Sequence, residues 1–150
     1  MNHEISLVRQ FHEQFGFEVA TNPTLLAGGR NVAARMATDI RDLLSRFQQV
    51  NDPTELFGAR VCLALEELAE SVEAHREGDL IAAADAWGDR MYLLLGDAVA
   101  MGLPAVEIFA EIHRSNMSKT VPSSENRAKA SKGPQFHRPE LHEILQSGQD

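Results

Sequence analysis

The sequence predicts an all-α protein: a helical bundle built on an antiparallel helix hairpin, followed by a flexible C-terminal tail. Apolar residues recur every three or four positions through most of the chain, and Gly, Pro and Asp mark the breaks between these stretches. No segment shows the alternation of apolar and polar residues that is typical of strands. A hydrophobic content of 43% with 24% charged residues indicates an ordinary globular protein.

The first two predicted helices lie in the N-terminal third of the chain. The first runs from about Ile5 to Phe15 and ends before Gly16, because its apolar residues follow a helical period up to that point. The stretch FEVATNPTLLAGGR has no sustained period and is predicted to be a loop. The second helix runs from about Asn31 to Gln48 with a continuous apolar stripe.

The third and fourth helices form the predicted hairpin. The segment Asp52-Pro53-Thr54-Glu55 supplies a capping carboxylate, a proline for the first turn and an acid that can close a capping box. The third helix should run from there to about Arg76 and end at Gly78. Asp79 can cap the fourth helix, which continues from Leu80 to about Met101. Because the link is short, the two helices should pack antiparallel.

The C-terminal part holds one further helix and a tail. The fifth helix begins at Pro104 and continues to about His113. The tail is rich in Ser, Lys, Pro and Gly, which predicts flexibility, with a short helical turn starting near Pro139. We therefore divide the chain into a helical domain, residues 1–118, and a basic tail, residues 119–150, which could serve as a lid.

Charge and composition exclude several classes of protein. The 14 Lys and Arg residues face 22 Asp and Glu, and a net charge of -8 argues against nucleic-acid binding. The chain lacks an apolar run of the ~20 residues that a membrane span needs, and its charged N-terminus is unlike a signal peptide. We therefore expect no membrane partner and a cytoplasmic location. Cys62 lies in an apolar stretch and is interpreted as a small core residue.

Acidic side chains on the hairpin are the main candidate functional residues. Five of them are Glu66, Glu67, Glu70, Asp85 and Asp89. Glu70 is three residues from Glu67 and four from Glu66, and Asp85 and Asp89 are four apart, so those on each helix project from overlapping faces. Glu70 lies about eight residues before the bend and Asp85 about seven after it, so both helices present carboxylates at the same height. We expect little cationic partner nearby, because Arg90 of the fourth helix points away from the stripe of Asp85 and Asp89.

Two interpretations of these carboxylates remain open from spacing alone. Oxygen-rich surroundings suit Mg²⁺ or Mn²⁺, which bind through a few carboxylates together with waters and substrate phosphates. A solvated acidic face would produce the same spacing without any ligand. The histidines show no paired spacing for zinc, so no zinc site is predicted.

Three further segments are similar to a known family. After the EELAE segment of the third helix come ADAWGDRMY at residues 84–92, HRSNMSK at 113–119 and KGPQF at 132–136. In this order they resemble the all-α nucleoside triphosphate pyrophosphohydrolases of the MazG-like superfamily, which includes phosphoribosyl-ATP pyrophosphohydrolase and relatives of dimeric dUTPase. EExxE alone is unspecific, whereas the segments in order are specific.

The resemblance implies roles for residues of this chain. It makes Glu67, Glu70 and Asp89 ligands of Mg²⁺ or Mn²⁺, and it makes Glu66 either a further ligand or the base that deprotonates the attacking water. The family commonly has an acid at the position of Ala86, and Asp85 is the natural substitute as fourth ligand. The substrate phosphates would contact Asn116, Lys119 and Lys132.

The expected function is Mg²⁺-dependent hydrolysis of a nucleoside triphosphate to the monophosphate and pyrophosphate. The alternatives are hydrolysis of phosphoribosyl-ATP and a helical module that binds nucleotide or metal without turnover. Wide apolar stripes on two long helices, with Leu25, Leu26 and Phe57 nearby, predict a homodimer or a dimer of dimers.

Overall fold

A computed structural model describes residues 1–28, 30–50, 52, 54–122 and 129–146. Within these ranges the chain forms the helices α1 (Asn2–Phe15), α2 (Arg30–Val50), α3 (Leu56–Glu77), α4 (Leu80–Met101), α5 (Ala105–Met117) and α6 (Leu141–Gln146). The described residues contain no strand, only an isolated antiparallel bridge between Thr120 and Ser131. The predicted all-α class is confirmed.

The hairpin between α3 and α4 has the predicted bend. Gly78 ends α3 with a left-handed φ of 79°, and its N–H donates to the Ala74 carbonyl oxygen. Asp79 then caps α4, because its Oδ1 accepts hydrogen bonds from the N–H groups of Ile81 at 2.9 Å and Ala82 at 3.0 Å. Both bounds of α4 agree with the sequence pattern.

The predicted start of α3 was wrong by a few residues. Glu55 is the N-cap, and its carboxylate accepts hydrogen bonds from two N–H groups of the first turn at 3.1 and 2.6 Å. The Asp52 carboxylate instead accepts bonds from the N–H and hydroxyl of Thr54 at 2.9 and 2.7 Å, which closes a local turn. Pro53 lies outside the described residues. Of the two candidate caps, Glu55, which directly precedes the first helical residue, is the one that caps α3.

The chain divides into two compact units, and the first comprises Asn22–Met101. In this unit α3 packs along both α2 and α4. Arg60 of α3 forms an ion pair with Asp97 of α4 and donates from Nη2 to the Leu93 carbonyl oxygen at 3.2 Å. This register confirms the antiparallel hairpin. The buried residues at the helix contacts are mostly alanines, which allow the backbones to approach closely.

The second unit comprises Met1–Thr21 and Gly102–Asp150. In it α1 and α6 each contact α5. Phe11 holds the end of α1 together, with ring centroids 4.6 Å from Phe15 and 5.7 Å from Phe17. α5 ends at Met117, beyond the predicted His113, so most of the HRSNMSK segment is helical.

None of the helices in the described ranges is by itself long and apolar enough to cross a membrane. One bent pair, α4 with α5, meets that test by length and composition alone.

Candidate active site

The carboxylate-bearing turns of α3 and α4 meet, and Glu67 lies at their centre. Its Oε2 is buried, and no hydrogen-bond partner for this atom is found among the described residues. Burial raises the pKa of the Glu67 carboxyl above its ordinary value. Repulsion from four neighbouring carboxylates raises it further, in the order Glu70, Asp89, Glu66 and Asp85. The structure therefore brings together all five predicted carboxylates, which we call the acidic cluster.

The exposure of these side chains differs across the acidic cluster. Glu70, Asp85 and Asp89 are exposed, whereas Glu66 and Glu67 are half-buried. The cluster therefore has an open side towards solvent and a partly buried floor. Carboxylates on such a floor are costly to keep charged unless a cation neutralises them.

The position where the superfamily commonly carries an acid is buried in this chain. Ala86 is only 2% exposed and lies at the contact between α3 and α4. A carboxylate there would be desolvated by the close approach of the helices. Asp85, one residue earlier, is exposed and takes part in the electrostatic field of the cluster.

A cation that the sequence analysis missed borders the acidic cluster. Arg41 of α2 donates from Nε to Oε1 of Glu73 at 3.0 Å and from Nη2 to Oε2 at 2.8 Å. Arg41 thus adds a cation beside the cluster, although its bonds are to Glu73 and not to any of the five predicted carboxylates. The only signal in the sequence was that Glu73 continues the acidic stripe of Glu66 and Glu70, because the partner helix follows from tertiary packing alone.

The predicted phosphate-binding lysines come together in the second unit. The bridge joins Thr120 N to Ser131 O at 2.9 Å and Ser131 N to Thr120 O at 3.1 Å. In an antiparallel pair of this kind the flanking residues, Lys119 and Lys132, occupy opposite positions. Like charges placed opposite each other repel, so this pair is suited to an anion. Lys132 Nζ also lies 5.0 Å from the centre of the Phe136 ring.

The serines of the HRSNMSK segment anchor the tail. Ser115 Oγ donates to the His137 carbonyl oxygen at 2.7 Å, and Ser118 Oγ accepts from His137 N at 2.8 Å. In the described part of the chain, no hydrogen bond or ion pair engages the side chains of Asn116 and Lys119. The segment therefore divides into residues that hold the tail and residues available to a ligand.

A second contact fixes the tail at its far end. The Glu111 carboxylate accepts two bonds from Arg114 at 2.7 Å each and one from the backbone N–H of Glu140 at 2.6 Å. These bonds, the one from Arg114 foremost, lower the pKa of Glu111 to about 2. The described tail residues are thus tied to α5 from the bridge as far as α6.

Comparison with known proteins identifies the family. The family model of phosphoribosyl-ATP pyrophosphohydrolase matches residues 33–116, which is more than half of the chain. The chain belongs to this family. No curated protein and no solved structure matches the chain at a significant level.

Membership in the phosphoribosyl-ATP pyrophosphohydrolase family defines the class of chemistry. The family consists of divalent-metal-dependent hydrolases that cleave a pyrophosphate bond of a nucleotide. The matched region contains the whole acidic cluster, Arg41 and Asn116, and it ends before Lys119 and Lys132. The resemblance seen in the sequence to the MazG-like superfamily, of which this family is part, is confirmed.

The donor set of the acidic cluster fits the divalent metal of the family. Its floor holds a buried carboxylate oxygen without a partner, and its neighbours are all hard oxygen donors. Among the described residues, no three acidic, His or Cys side chains converge closely enough to hold an ion by themselves. Mg²⁺ commonly binds through one or two carboxylates and keeps several waters, so an open cluster of this kind suits it.

Proposed function

We propose that this chain hydrolyses a nucleoside triphosphate to the monophosphate and pyrophosphate, with Mg²⁺ or Mn²⁺ held by Glu67, Glu70, Asp85 and Asp89. The observation that carries the proposal is the unpartnered, buried Oε2 of Glu67 with four acids around it. Five carboxylates crowded onto one hairpin destabilise the fold unless a cation binds between them.

The residues of the chain divide the work of this reaction. The metal would neutralise the polyphosphate and lower the pKa of a bound water. Glu66, half-buried at the edge of the cluster, would accept the proton of the attacking water. Asn116, Lys119 and Lys132 would contact the phosphates, since the two lysines lie opposite each other and no described residue bonds to the Asn116 amide.

Phosphoribosyl-ATP is the second candidate substrate. The description of the matching family model names this substrate, so among nucleotides that are not common nucleoside triphosphates it is the one we favour. The chemistry at the acidic cluster would be the same, because both substrates present a polyphosphate chain to the metal. A module that binds nucleotide or metal without turnover is the third candidate, which the alanine at position 86 keeps open.

The first experiment separates binding from turnover. Mn²⁺ is titrated into the metal-free protein by calorimetry, and pyrophosphate release is then measured over a panel of common and damaged nucleoside triphosphates and phosphoribosyl-ATP. Release from a triphosphate supports the proposal, and release only from phosphoribosyl-ATP supports the second candidate. Metal binding without release from any substrate supports the module.

The substitution Glu70→Gln tests the site itself. We expect it to abolish metal-dependent turnover and to leave the helical circular dichroism spectrum unchanged, because Glu70 is exposed and its loss leaves no cavity. Glu77→Gln is the matched control: the same change on the same helix, at an exposed residue that pairs with Arg76. Full turnover in the Glu70 variant would overturn the assignment.

The outward face of α4 is the proposed contact for self-association. Its exposed apolar side chains include Ile81, Trp87, Tyr92, Leu94 and Val99. Helical geometry places Ile81, Tyr92 and Val99 along one side of α4, with Asp85, four residues after Ile81, at its border.

A second copy of the chain is the occupant that the glycines of α4 favour. A Cβ at Gly96 would lie 2.8 Å from Arg60 Nη2, so this glycine is explained by packing within the chain. A Cβ at Gly88 would meet no atom within 4 Å. Gly88 therefore leaves space for the backbone of another helix, and α4 of a second copy would bury an identical apolar face.

The mass in solution tests the self-association proposal. We expect light scattering to give at least two chains, and Val99→Lys to shift the mass to one chain, since Val99 is 84% exposed. Ala100→Lys is the control, because Ala100 is exposed on the charged side of the same helix. A wild-type mass of one chain at high concentration would contradict the proposal.

A further inference from the structure

Arg41 lies beside the acidic cluster, next to Glu73 of α3. It comes from α2, and Glu73 holds its guanidinium in a two-pronged hydrogen bond. The Arg41 side chain is still 36% exposed, and that of Glu73 is 28% exposed. The pair is thus ordered and also reachable from solvent.

The guanidinium of Arg41 has donors left over. Of its five N–H groups, the bonds to Glu73 use two, so three remain without a partner among the described residues. The hydrogen bond with Glu73 raises the pKa of the Arg41 guanidinium, and the charges of Glu70 and Glu66 raise it further. Because Glu73 follows Glu70 by three residues, about one helical turn, its bond to Arg41 places the guanidinium next to the exposed side of the cluster.

We propose that Arg41 is a substrate-binding residue whose free N–H groups donate to a phosphate oxygen, while Glu73 holds the guanidinium in the required orientation. This inference rests on the proposed function, because the phosphates would lie over the metal at the acidic cluster. A planar, permanently charged fork suits phosphate oxygens better than a lysine does. Once the metal neutralises the carboxylates, the attraction of Arg41 is available to the anion.

A purely structural role is the competing explanation, and the chain contains a matched control for it. Arg60 and Asp97 form another part-buried ion pair between helices of the same unit. Arg60 precedes Glu67 by two helical turns, about 10 Å along the axis, which separates it from the cluster. If Arg41 only braced α2 against α3, Arg41→Gln and Arg60→Gln would have the same consequences.

The test measures binding of inorganic pyrophosphate to the Mn²⁺-loaded protein by calorimetry, together with Mn²⁺ binding alone. We expect Arg41→Gln to weaken pyrophosphate binding about tenfold or more, the loss of a charged hydrogen bond, without weakening Mn²⁺ binding. Arg41→Lys should recover part of this affinity, because it keeps the charge and loses the fork. Arg60→Gln should bind pyrophosphate as the wild type does.

Each outcome of this test has a defined meaning. Wild-type pyrophosphate affinity in the Arg41→Gln variant would overturn the inference, and so would an equal loss in Arg60→Gln. If Arg41→Gln fails to fold, the lysine variant decides: undiminished pyrophosphate affinity overturns the inference, and reduced affinity with intact Mn²⁺ binding supports it. Pyrophosphate binding that depends on Arg41 in a protein without turnover would remove the proposed function and leave the inference standing.

Discussion

The α3–α4 hairpin carries charged side chains at two levels along its axis. At the paired level, around Arg60, opposite charges meet; at the unpaired level, around Glu67, only like charges meet. Near the open end, Arg60 and Asp97 pair across the helices, and the guanidinium also bonds to the Leu93 carbonyl oxygen. Two turns closer to the bend, Glu67 faces like charges, and its buried Oε2 has no hydrogen-bond partner among the described residues. The charges of the paired level are neutralised within the chain, whereas the carboxylates of the unpaired level are left for a bound cation to neutralise.

The difference shows which part of the hairpin serves the fold and which part serves a ligand. Pairing at the Arg60 level stabilises the folded chain and requires nothing else. Repulsion at the Glu67 level lowers the stability of the metal-free protein, and such local conflicts are expected where a protein binds something. The two levels should therefore respond to substitution with opposite signs in stability.

The largest effect is expected from Glu67→Gln at the unpaired level. Turnover should fall at least about 100-fold, because the proposed metal ligand on the floor of the cluster is replaced by a weaker donor. The metal-free variant should nevertheless be more stable than the wild type by about 1 kcal/mol at pH 7, since a repelled, desolvated charge is gone. Urea unfolding in the presence of a chelator measures the gain.

The pH dependence of this gain provides its control. The pKa of Glu67 in the folded chain is raised above 4.5, so the folded state holds its proton more tightly than the unfolded state. In the wild type, this tighter proton binding stabilises the folded state below pH 4.5, and the stabilisation is lost as the pH rises through the folded pKa. The advantage of the glutamine should therefore shrink towards zero at pH 4. A destabilised variant at pH 7 would show that the carboxylate is not repelled.

Local signals in the sequence predicted the unpaired level well. Gly78 and Asp79 fix the bend, and counting residues from it places Glu70 and Asp85 at one height. Arg41 could not be found in this way, because nothing in the sequence tells which turn of α2 meets α3.

Competing local signals and distant pairings limit prediction elsewhere. Asp52 and Glu55 both satisfy the pattern of a helix cap, and only the folded chain shows that the first closes a turn while the second caps α3. The opposition of Lys119 and Lys132 depends on a backbone bridge between segments that are distant in sequence. The sequence around either lysine does not indicate that the other lies opposite to it.

At the paired level, Arg60→Gln should lower the free energy of unfolding by about 1 kcal/mol, the scale of a partly exposed ion pair. The cause is the loss of the bonds to Asp97 and to the Leu93 carbonyl oxygen. Chemical denaturation of the metal-free protein measures the change, and turnover should stay within twofold of the wild type. A loss of turnover as large as that of Glu67→Gln would erase the distinction between the two levels.

The smallest expected effect sharpens the comparison through Gly96, against which the Arg60 guanidinium lies. Alanine in the interior of a helix is favoured over glycine by about 1 kcal/mol, but the added Cβ would lie 2.8 Å from Arg60 Nη2. The guanidinium is the flexible end of its side chain and can shift, so Gly96→Ala alone should change the free energy of unfolding by less than about 0.5 kcal/mol. In the Arg60→Gln background the obstacle is gone, and the same substitution should recover most of the full helix-propensity gain.

A double-mutant cycle by urea unfolding measures the coupling between Arg60→Gln and Gly96→Ala directly. Additive effects of the two substitutions would mean that Arg60 does not lie against Gly96 in solution, and the paired level would then lose its close contact with the α4 backbone.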